Sequence, residues 1–513
     1  MSKFYATNAI PYVNAKPHIG HAYEFVLSDI IARHHKLKGD QTLLLCGGDE
    51  NALKNVQAAE KEGVPIQGFV DKNSQLFLNL AKKLNVNFNV FQKGSAKDHK
   101  EASQKLWELC KHDIYKKAYT GLYCVGCEQF YEQDELDENG ECFEHPGKKL
   151  EEVSEENYFF SLSKYGDEIK DLIESGELKI FPDIRKNEIL SFLKQGLKDI
   201  SISRTNERAK NWGVTVPGDE SQKMYVWFDA LNIYQSGIGF GANEEEYKKW
   251  WPADVHVLGK GIIRFHAIYW PAFLLSAGLQ LPKSLFVHGY LTIEGQKMSK
   301  TIGNVVDPLE MIKKYGAETL RYYFAREVSS ASDGDFSEKR LIEIYNSELA
   351  NSLGNLVSRV IALVNKYCDG KIPEVKNRDL DSHPLRVSKD IYTWKDSWQV
   401  FSEYMPNYKF NEVLKSIWKF IDTANKYVNE NKPWELAEKN KDEFNWVIYG
   451  LLDSIHQIAW LINPFLPETS AKIAETLNIE GLLKENPSNK DSWTNIKPRT
   501  KLKPCPPLFP RIK

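Results

Sequence analysis

The sequence predicts an α/β fold built on a parallel sheet, interrupted by an inserted segment and followed by an all-α helical bundle. Three observations predict it: strand and helix patterns alternate near the N-terminus, cysteines and a histidine cluster in the middle, and helical periodicity fills the last third. The 513 residues are enough for about three domains, since one domain holds roughly 100–200 residues.

The α/β pattern begins at the N-terminus. Residues 3–10 are expected to form a strand, and the apolar spacing of residues 18–37 predicts a helix. Gln41–Cys46 is an apolar stretch of the kind that is buried in a parallel sheet, and a second helical segment follows from about Leu53. Strand, helix, strand and helix in this order predict right-handed parallel units.

The character of the chain changes twice more. Residues 119–222 carry acidic loops and turn residues and read as an insertion between two halves of the sheet. The α/β pattern is expected to resume at Met224–Phe228, Asp254–Leu258 and Ser284–Leu291. From about Ser337 the apolar spacing is helical. The tail after Trp493 is Pro-rich and basic and contains no acidic residue; its cations are Lys497, Arg499, Lys501, Lys503, Arg511 and Lys513.

Composition excludes several classes of protein. A net charge of −3 with 27 % charged residues is neither a disordered acidic chain nor a globally basic one, so any nucleic-acid contact must come from local patches. Residues 1–10 lack the layout of a signal peptide, and no apolar stretch approaches the roughly 18 residues that span a bilayer. Seven cysteines in this length do not make a disulfide scaffold. We therefore expect a cytoplasmic protein with no membrane partner.

A phosphate-handling motif, PHIGH, lies where the first strand gives way to its helix. Unpaired backbone N–H groups and a partial positive charge at a helix N-terminus suit a triphosphate. His18 and His21 project from the same turn and can donate hydrogen bonds to the α-phosphate, while Gly20 allows a close approach. Taken alone, the two histidines would equally suit a helix surface.

A second motif, KMSKT, follows the strand expected at Ser284–Leu291. Its lysines, Lys297 and Lys300, flank Met298 and Ser299 in a loop that can close over the β- and γ-phosphates. A lone Lys-x-Ser-Lys is usually solvated surface. Because both motifs occur at the ends of predicted strands, the sequence predicts a binding site for a triphosphate.

Four metal-ligand residue types fall in two short-spaced pairs. Cys124 and Cys127 form a CxxC pair, and Cys142 and His145 form a CxxH pair. This spacing can bring four ligands to one tetrahedral point, which is typical of structural Zn²⁺. Four protein ligands leave no open position, so we expect no catalytic role for the metal.

PHIGH and KMSKT resemble the paired ATP-binding signatures of class I aminoacyl-tRNA synthetases. Over nearly the whole chain, segments resemble the methionyl-tRNA synthetase family in order and spacing: YVNAKPHIGHAY, GLYCVGCEQFY, LKDISISR, YVWFDAL, FVHGYLTIEGQKMSKTIGNVVDP, LGNLVSR and NKPWEL. The resemblance implies that L-methionine is activated with ATP to methionyl-adenylate, releasing pyrophosphate. Methionine then passes to the 3′-terminal adenosine of tRNA(Met), initiator or elongator.

The resemblance also implies a domain order. We expect a Rossmann-type catalytic domain in two parts, a zinc-bearing connective insertion, a stem-contact segment with the KMSKT loop, a helical anticodon-binding domain and the basic tail. The expected bounds, in chain order, are 1–118 for the first catalytic part, 119–222 for the insertion, 223–291 for the second catalytic part, 292–342 for the stem-contact segment, 343–490 for the anticodon-binding domain and 491–513 for the tail.

Residue roles follow from the resemblance as well. Asp49 would pair with the ammonium group of methionine, helped by the backbone of Ile10. The side-chain pocket would be lined by Tyr12, Trp227, Ala230, Leu231, Tyr234, Ile262 and His266. Aromatic walls suit a thioether, although spacing alone would place Trp227 and Tyr234 in an ordinary core. The ATP-binding set comprises His18, Gly20, His21, Lys297, Met298, Ser299 and Lys300.

The resemblance also assigns the reading of the anticodon. Asn355, Arg359 and Trp434 match the family's anticodon-binding positions. Unpaired bases are recognised by stacking on aromatic rings and by hydrogen bonds to their edges, which these residue types can supply. Without the resemblance, the first two would read as helix surface and the tryptophan as a packing residue.

Two departures from the family pattern keep alternatives open. Asn51 and Ala52 stand where the family commonly has His-Gly, and Gly261 stands where it commonly has Asp. A catalytically silent RNA-binding paralogue is one alternative. A class I synthetase for leucine, isoleucine, valine or cysteine is another, although an insertion of about a hundred residues leaves no room for the editing domain of the aliphatic enzymes. We expect a monomer.

Overall fold

The computed structural model describes residues 2–124, 129–131, 136–142, 147, 149–297, 303–329, 332–375, 392–479 and 496–512, apart from the side chains of residues 129, 130 and 297. The chain divides into two compact units. We call residues 3–28 and 42–290 the sheet unit, and residues 1–2, 29–41 and 291–513 the helical unit.

A six-stranded sheet forms the centre of the sheet unit. Its strands, in spatial order, are Val90–Lys93, Gln41–Gly48, Lys3–Asn8, Val255–Gly259, Ser284–His288 and Lys179–Phe181. The pairs Ala6–Val255, Val257–Phe286 and Cys46–Phe91 are all in parallel register. Strand order reverses between Lys3–Asn8 and Val255–Gly259, and ligands of such sheets bind beyond the carboxyl ends at this point. The predicted parallel α/β sheet is confirmed.

Three predicted elements near the start of the chain, two strands and a helix, are confirmed. The first strand is Lys3–Asn8, the second is Gln41–Gly48, and the first helix is Ile19–Leu37. The expectation that the parallel-sheet pattern resumes at Met224–Phe228 is wrong. Met224 ends an antiparallel strand and Val226–Leu231 is a short helix whose residues are all buried. A fully buried apolar run has the same appearance in a strand and in a helix, so its pattern could not separate the two.

Smaller antiparallel sheets occupy much of the range expected for the insertion. One consists, in spatial order, of Gln129–Tyr131, Ile114–Cys124, Glu151–Phe160 and Ile200–Ser201. Another consists of Thr215–Val216, Asp219–Met224 and Ser203–Thr205. Lys179–Phe181, from the same stretch of chain, pairs in parallel with Ser284–His288 and so extends the main sheet.

Helices cover the main sheet and fill the sheet unit. Besides the first helix, they are Leu53–Glu62, Ile66–Lys83, Lys97–Cys110, Gly166–Ser175, Asp183–Leu193, Val226–Leu231, Ile233–Ser236, Glu244–Trp250 and Trp270–Ser276. Phe265–Tyr269 is a π-helix, and Lys111–Asp113, Leu162–Tyr165 and Lys260–Ile262 are 3₁₀ turns.

The helical unit confirms the expected C-terminal helical region. Its helices are Pro308–Tyr315, Ala317–Glu327, Glu338–Ile344, Asn355–Tyr367, Trp394–Tyr404, Phe410–Asn431, Pro433–Lys439, Lys441–Ile462 and Pro467–Thr476, with a π-helix at Tyr345–Gly354 and a 3₁₀ turn at Met405–Asn407. A small sheet joins Gln296–Lys297, Leu291–Ile293 and Gly334–Phe336. Within the described ranges, no helix combines the length and apolar character needed to cross a bilayer.

A buried arginine organises the interior of the helical unit. The Arg321 guanidinium is fully buried and lies 2.7 Å from the buried Asp29 carboxylate. It also donates to the carbonyl oxygens of Pro464 and Phe465, each at 2.9 Å. One side chain thus joins three segments that are far apart in sequence. Arg33 reaches the same carboxylate at 2.6 Å from a more exposed position.

Replacing Arg321 with Met is expected to destabilise the full chain by about 3–5 kcal/mol, because it leaves the Asp29 carboxylate buried with less compensation. Chemical denaturation followed by far-UV circular dichroism measures the change. Arg33→Met is the matched control, since it removes the peripheral cation from the same carboxylate and should cost about 1 kcal/mol or less. Equal losses in the two variants would contradict the central role of Arg321.

Candidate functional site

Two histidines begin the first helix. Their rings lie 3.9 Å apart between centroids, and each Nδ1 accepts a backbone N–H: His18 N–H donates to His21 Nδ1, and Gly20 N–H donates to His18 Nδ1, both at 3.1 Å. Because Nδ1 is an acceptor in both rings, the neutral form of each must carry its proton on Nε2. The pair therefore offers two N–H donors beside the positive end of a helix.

The environment of His21 keeps this ring neutral. Desolvation of the His21 ring, followed by the proximity of His18, holds the pKa of His21 well below its ordinary value. The edge of Phe77, with its ring centroid 5.0 Å away, covers the apolar side of the His21 ring. The histidines can donate hydrogen bonds to an anion at neutral pH while the desolvated ring of His21 stays uncharged.

The loops after the first two strands meet at one backbone bridge. Tyr12 and Asp49 are parallel bridge partners, and Asp49 N–H donates to the Pro11 carbonyl at 2.9 Å. The Asn55 side chain donates to the Asp49 carbonyl at 2.8 Å, which fixes the loop from the other side. Asp49 is 4 % exposed, so its carboxylate is held in a largely desolvated position at the carboxyl edge of the sheet.

Aromatic rings form a wall next to this bridge. Trp227 meets Tyr12 and His266 edge-on, each at a centroid distance of 6.3 Å, and it stacks on Phe265 at 3.8 Å. Ala230 and Leu231 lie on the same short helix as Trp227 and are buried. The structure thus brings Tyr12, Trp227 and His266 together, and it adds Phe265, which the sequence did not single out.

His266 has one allowed arrangement of protons. Its Nδ1 lies 2.9 Å from the Ile262 carbonyl, which can only accept, so Nδ1 carries the proton. Nε2 then accepts the Tyr234 hydroxyl at 2.8 Å, and a backbone hydrogen bond from Ile10 also reaches Tyr234. Burial lowers the pKa of His266 to about 4. Trp227 and Tyr234 are 8 % and 1 % exposed, as core residues would be, yet both contact His266.

Behind this aromatic wall, the buried Asp229 carboxylate connects the short helix Val226–Leu231 to the loop that contains Asp49 and Asn51. Asn51 donates from one nitrogen, Nδ2, to the Gly94 carbonyl at 2.8 Å and to Asp229 at 2.7 Å. His99 Nε2 lies 2.8 Å from the other oxygen of Asp229, and Ser103 donates to that oxygen at 3.0 Å. The departure at Asn51 is therefore accommodated by two hydrogen bonds. Sequence reasoning missed His99 and Asp229, which are remote in the chain.

The second departure, Gly261, lies at an exposed turn. A Cβ atom built there would lie 2.1 Å from the Tyr290 hydroxyl, so any side chain at this position requires that ring to move. The Lys260 ammonium stands 4.7 Å from the centroid of the same ring. The space that a side chain at Gly261 would need is occupied by Tyr290.

Half of the predicted metal site falls within the described residues. Cys124 ends the long strand Ile114–Cys124, and its Sγ lies 3.2 Å from Sγ of Cys142; both side chains are buried. Cys127 and His145 lie outside the described residues, within which no group of three or more possible ligands occurs. The thiol pair is too far apart for a disulfide, which needs about 2.05 Å.

The second phosphate motif begins on a strand of the helical unit. Gln296–Lys297 pairs with Leu291–Ile293, and the Asp335 carboxylate holds their turn by accepting from Thr292 Oγ1 at 2.6 Å and Gly295 N–H at 2.8 Å. The Lys297 side chain and residues Met298, Ser299 and Lys300 lie outside the described residues.

The three predicted anticodon readers belong to the helical unit. Arg359 donates to Asn429 Oδ1 at 2.8 Å, which directs it toward the end of helix Phe410–Asn431. Trp434, in the helix that follows, is 40 % exposed, unusually so for a tryptophan. Asn355 is exposed on the helix that carries Arg359. The helices bearing these residues, Asn355–Tyr367 and Pro433–Lys439, contact each other.

Comparison with known families gives two matches. Residues 4–361 match the family described as tRNA synthetases class I (M). Residues 399–502 match the anticodon-binding domain of tRNA ligases.

Individual proteins that are similar to this chain are also methionine–tRNA ligases. A methionine–tRNA ligase of Thermotoga maritima is 41 % identical over 99 % of this chain and 80 % of its own length. One from Brucella suis is 38 % identical over 99 % of this chain and 98 % of its own length. The solved Mycobacterium tuberculosis methionyl-tRNA synthetase with methionyl-adenylate is 36 % identical, covers 100 % of both chains and has a TM-score of 0.93. The apo form of that enzyme, 34 % identical over 100 % of this chain and 99 % of its own, gives 0.85.

The buried state of His266 predicts a pH dependence of stability. The unfolded ring protonates near pH 6.5 and the folded ring only near pH 4, so the folded chain binds fewer protons between these values. The free energy of unfolding should therefore fall as pH drops through this window, with a contribution from His266 of up to about 1.4 kcal/mol per pH unit. Chemical denaturation at pH 7.5, 6.0 and 5.0 measures the slope.

His266→Gln should flatten that slope, because the ionisable ring is gone. Val64→Ala is the control, since Val64 is 43 % exposed and carries no ionisable group, so its replacement should leave the slope unchanged. Parallel stability curves for wild type and His266→Gln would rule out the assigned state of this ring.

Proposed function

Since this chain belongs to the class I methionyl-tRNA synthetase family, we propose that it activates L-methionine with ATP and transfers it to the 3′-terminal adenosine of tRNA(Met). In the first step a methionine carboxylate oxygen attacks the α-phosphorus in line. The bond to the bridging oxygen breaks, giving methionyl-adenylate and pyrophosphate. In the second step a ribose hydroxyl of the terminal adenosine attacks the adenylate carbonyl, and AMP leaves.

The observation that carries the proposal is the aromatic pocket beside a desolvated carboxylate. Asp49, 4 % exposed, would pair with the ammonium group of the amino acid. Tyr12, Trp227 and His266 offer ring edges and faces within one small space. A thioether makes favourable contacts with such rings, and an uncharged His266 avoids a buried cation beside it.

The paired histidines supply donors for the phosphate. As negative charge builds on the α-phosphate oxygens, the Nε2–H groups of His18 and His21 stabilise it without a proton transfer. Their backbone hydrogen bonds at Nδ1 hold the rings in the donating tautomer before substrate arrives. Gly20 leaves the helix terminus open to the nucleotide.

The lysines of KMSKT complete the phosphate chemistry in this proposal. Lys297 and Lys300, with Met298 and Ser299 between them, neutralise charge on the β- and γ-phosphates, together with Mg²⁺. Asp335, which fixes the turn before this loop, is a positioning residue for Lys297.

A structural zinc ion is part of the proposal, held by Cys124, Cys127, Cys142 and His145. Two facing, buried thiols suit this ligand set; tetrahedral Zn–S bonds of about 2.3 Å would place their sulfur atoms roughly 3.8 Å apart, somewhat farther apart than they lie here. Their observed separation is 3.2 Å in a buried setting. The ion would cross-link the strand ending at Cys124 to the segment containing Cys142 and would supply no catalytic step.

Reading of the anticodon is assigned to Asn355, Arg359 and Trp434. An exposed indole can stack on an unpaired base, while the amide and guanidinium bind base edges. The hydrogen bond that Arg359 donates to Asn429 limits the conformations of the guanidinium before RNA arrives. We further propose that initiator and elongator tRNA(Met) are both substrates, that the domains follow the expected bounds, and that the enzyme is a cytoplasmic monomer.

Amino-acid-dependent exchange of pyrophosphate into ATP tests the reaction. Methionine should support exchange, whereas leucine, isoleucine, valine and cysteine should not. His21→Ala should lower kcat by about 10²–10³-fold with little change in the KM for methionine, because the donor acts mainly on transition-state charge. His112→Ala is the control. If no amino acid supports exchange, the chain is instead a catalytically silent paralogue that only binds RNA. Exchange with an aliphatic amino acid would favour a class I synthetase of another specificity.

Metal analysis of the purified chain tests the zinc proposal. We expect about one zinc ion per chain in the wild type, and a marked loss in Cys142→Ser with a lower unfolding temperature. Cys505→Ser, which changes a partly exposed thiol in the tail, should retain the metal. Full zinc content in Cys142→Ser would remove Cys142 from the ligand set.

A further inference from the structure

We propose that the Lys54 ammonium binds the carboxylate of the amino acid and so restricts the pocket to α-amino acids. This inference rests on the proposed function, because it takes the space beside Tyr12 and Asp49 as the site for L-methionine. Asp49 serves the ammonium end of the substrate and the rings around Trp227 serve its thioether. Lys54 adds the cation that receives the remaining charge of the substrate.

The position of Lys54 is tied to the pocket wall through Tyr12. The Lys54 ammonium lies 4.0 Å from the centroid of the Tyr12 ring, and this cation–π contact holds the charge at the ring. The same ring meets Trp227 edge-on at a centroid distance of 6.3 Å. The Tyr12 backbone is also the parallel bridge partner of Asp49. A cation, an anion and an aromatic wall therefore surround one residue, Tyr12.

The backbone that carries Lys54 is fixed against the Asp49 loop. Lys54 is the second residue of the helix Leu53–Glu62, which begins shortly after that loop. Asn55, the next residue, is fully buried and donates from its side chain to the Asp49 carbonyl at 2.8 Å. The Asn55 backbone N–H donates to the Ala52 carbonyl at 3.0 Å. These bonds set the origin of the Lys54 side chain relative to the Asp49 carboxylate.

The start of this helix adds to the positive potential around Lys54. Its N-cap residue is Ala52, whose methyl side chain cannot accept a hydrogen bond from the first turn, and that turn contains no acidic residue. The first backbone N–H groups of a helix, together with its dipole, favour an anion nearby. The helix terminus therefore supports the attraction of a carboxylate to Lys54, whose ammonium is the group that binds it.

A zwitterion is the ligand that this arrangement favours. The ammonium and the carboxylate of an α-amino acid are bonded to one carbon atom, so they suit an anion and a cation that flank one residue. Asp49 is 4 % exposed and Lys54 is partly buried, so both charges are screened less than charges on an open surface. A ligand that has the ammonium but no carboxylate would place a second cation beside Lys54, which disfavours its binding.

The contact with Lys54 acts on binding of the amino acid more than on the chemical step. One carboxylate oxygen attacks the α-phosphorus, and the carboxylate loses its negative charge as the mixed anhydride forms. The attraction to Lys54 therefore weakens between the bound substrate and the transition state. An interaction that is stronger with the bound substrate lowers KM without raising kcat.

Methionine-dependent pyrophosphate exchange by Lys54→Gln tests the inference, with methioninol as a competitive inhibitor. Methioninol keeps the ammonium and the thioether but has a hydroxymethyl group in place of the carboxylate. The KM for methionine should rise about tenfold, the size typical of one charge-assisted hydrogen bond, while kcat changes by less than about twofold. The Ki of methioninol should stay the same or fall, because a cation near its ammonium is gone. Lys54→Arg, which keeps the charge, should restore most of the affinity for methionine.

Lys61→Gln is the matched control, because Lys61 is an exposed lysine in the last turn of the same helix and its replacement should leave both constants at their wild-type values. Equal weakening of methionine and methioninol in Lys54→Gln would mean that Lys54 only packs against Tyr12, and it would overturn the inference. A raised KM for ATP with an unchanged KM for methionine would also overturn it, because Lys54 would then serve a phosphate.

Calorimetric titration with methionine and with methioninol measures the same affinity ratio without the reaction. A wild type that shows no methionine-dependent exchange would refute the proposed function, whereas the calorimetric ratio in Lys54→Gln still decides whether Lys54 binds the carboxylate. The two failures are therefore distinguishable.

Discussion

The structure of the site depends on one short parallel bridge between Tyr12 and Asp49. It continues the pairing of two neighbouring strands past their ends, which places a carboxylate and an aromatic ring side by side. Gly48, directly before Asp49, allows the two loops to approach: a Cβ atom there would lie 3.3 Å from the Val13 side chain and 3.0 Å from Ser74 Oγ. Backbone geometry, and not side-chain packing, therefore sets the position of the pocket's charged group.

Around that bridge, the site is made polar largely with neutral groups. His21 and His266 are both held uncharged, but in opposite tautomers, because a backbone donor meets Nδ1 of the first and a backbone acceptor meets Nδ1 of the second. The first ring can therefore donate from Nε2, and the second can accept there. Directional hydrogen bonding is obtained without the desolvation cost of buried cations. The charged groups beside the rings are then the Asp49 carboxylate and the Lys54 ammonium, which lies 4.0 Å from the centroid of the Tyr12 ring.

Local patterns predicted the elements that begin the fold, since the first strand and helix each show their own periodicity. They failed at Met224–Phe228, where a buried run has no polar face to reveal its conformation. The grouping of pocket residues followed from family resemblance. Phe265 and the contact of His99 with Asp229 were missed because partners that are remote in sequence meet only once the sheet has formed, and no local spacing encodes such a pair.

The Asn51 amide has a consequence for how this sequence can change. One nitrogen serves two acceptors, the Gly94 carbonyl and Asp229, which only a primary amide of this length can do at this position. A neutral histidine there has one ring N–H and so could serve only one of these acceptors in this way. Replacing Asn51 with histidine would therefore leave the Gly94 carbonyl or Asp229 without this donor, unless the neighbouring loop or the buried acid changed with it.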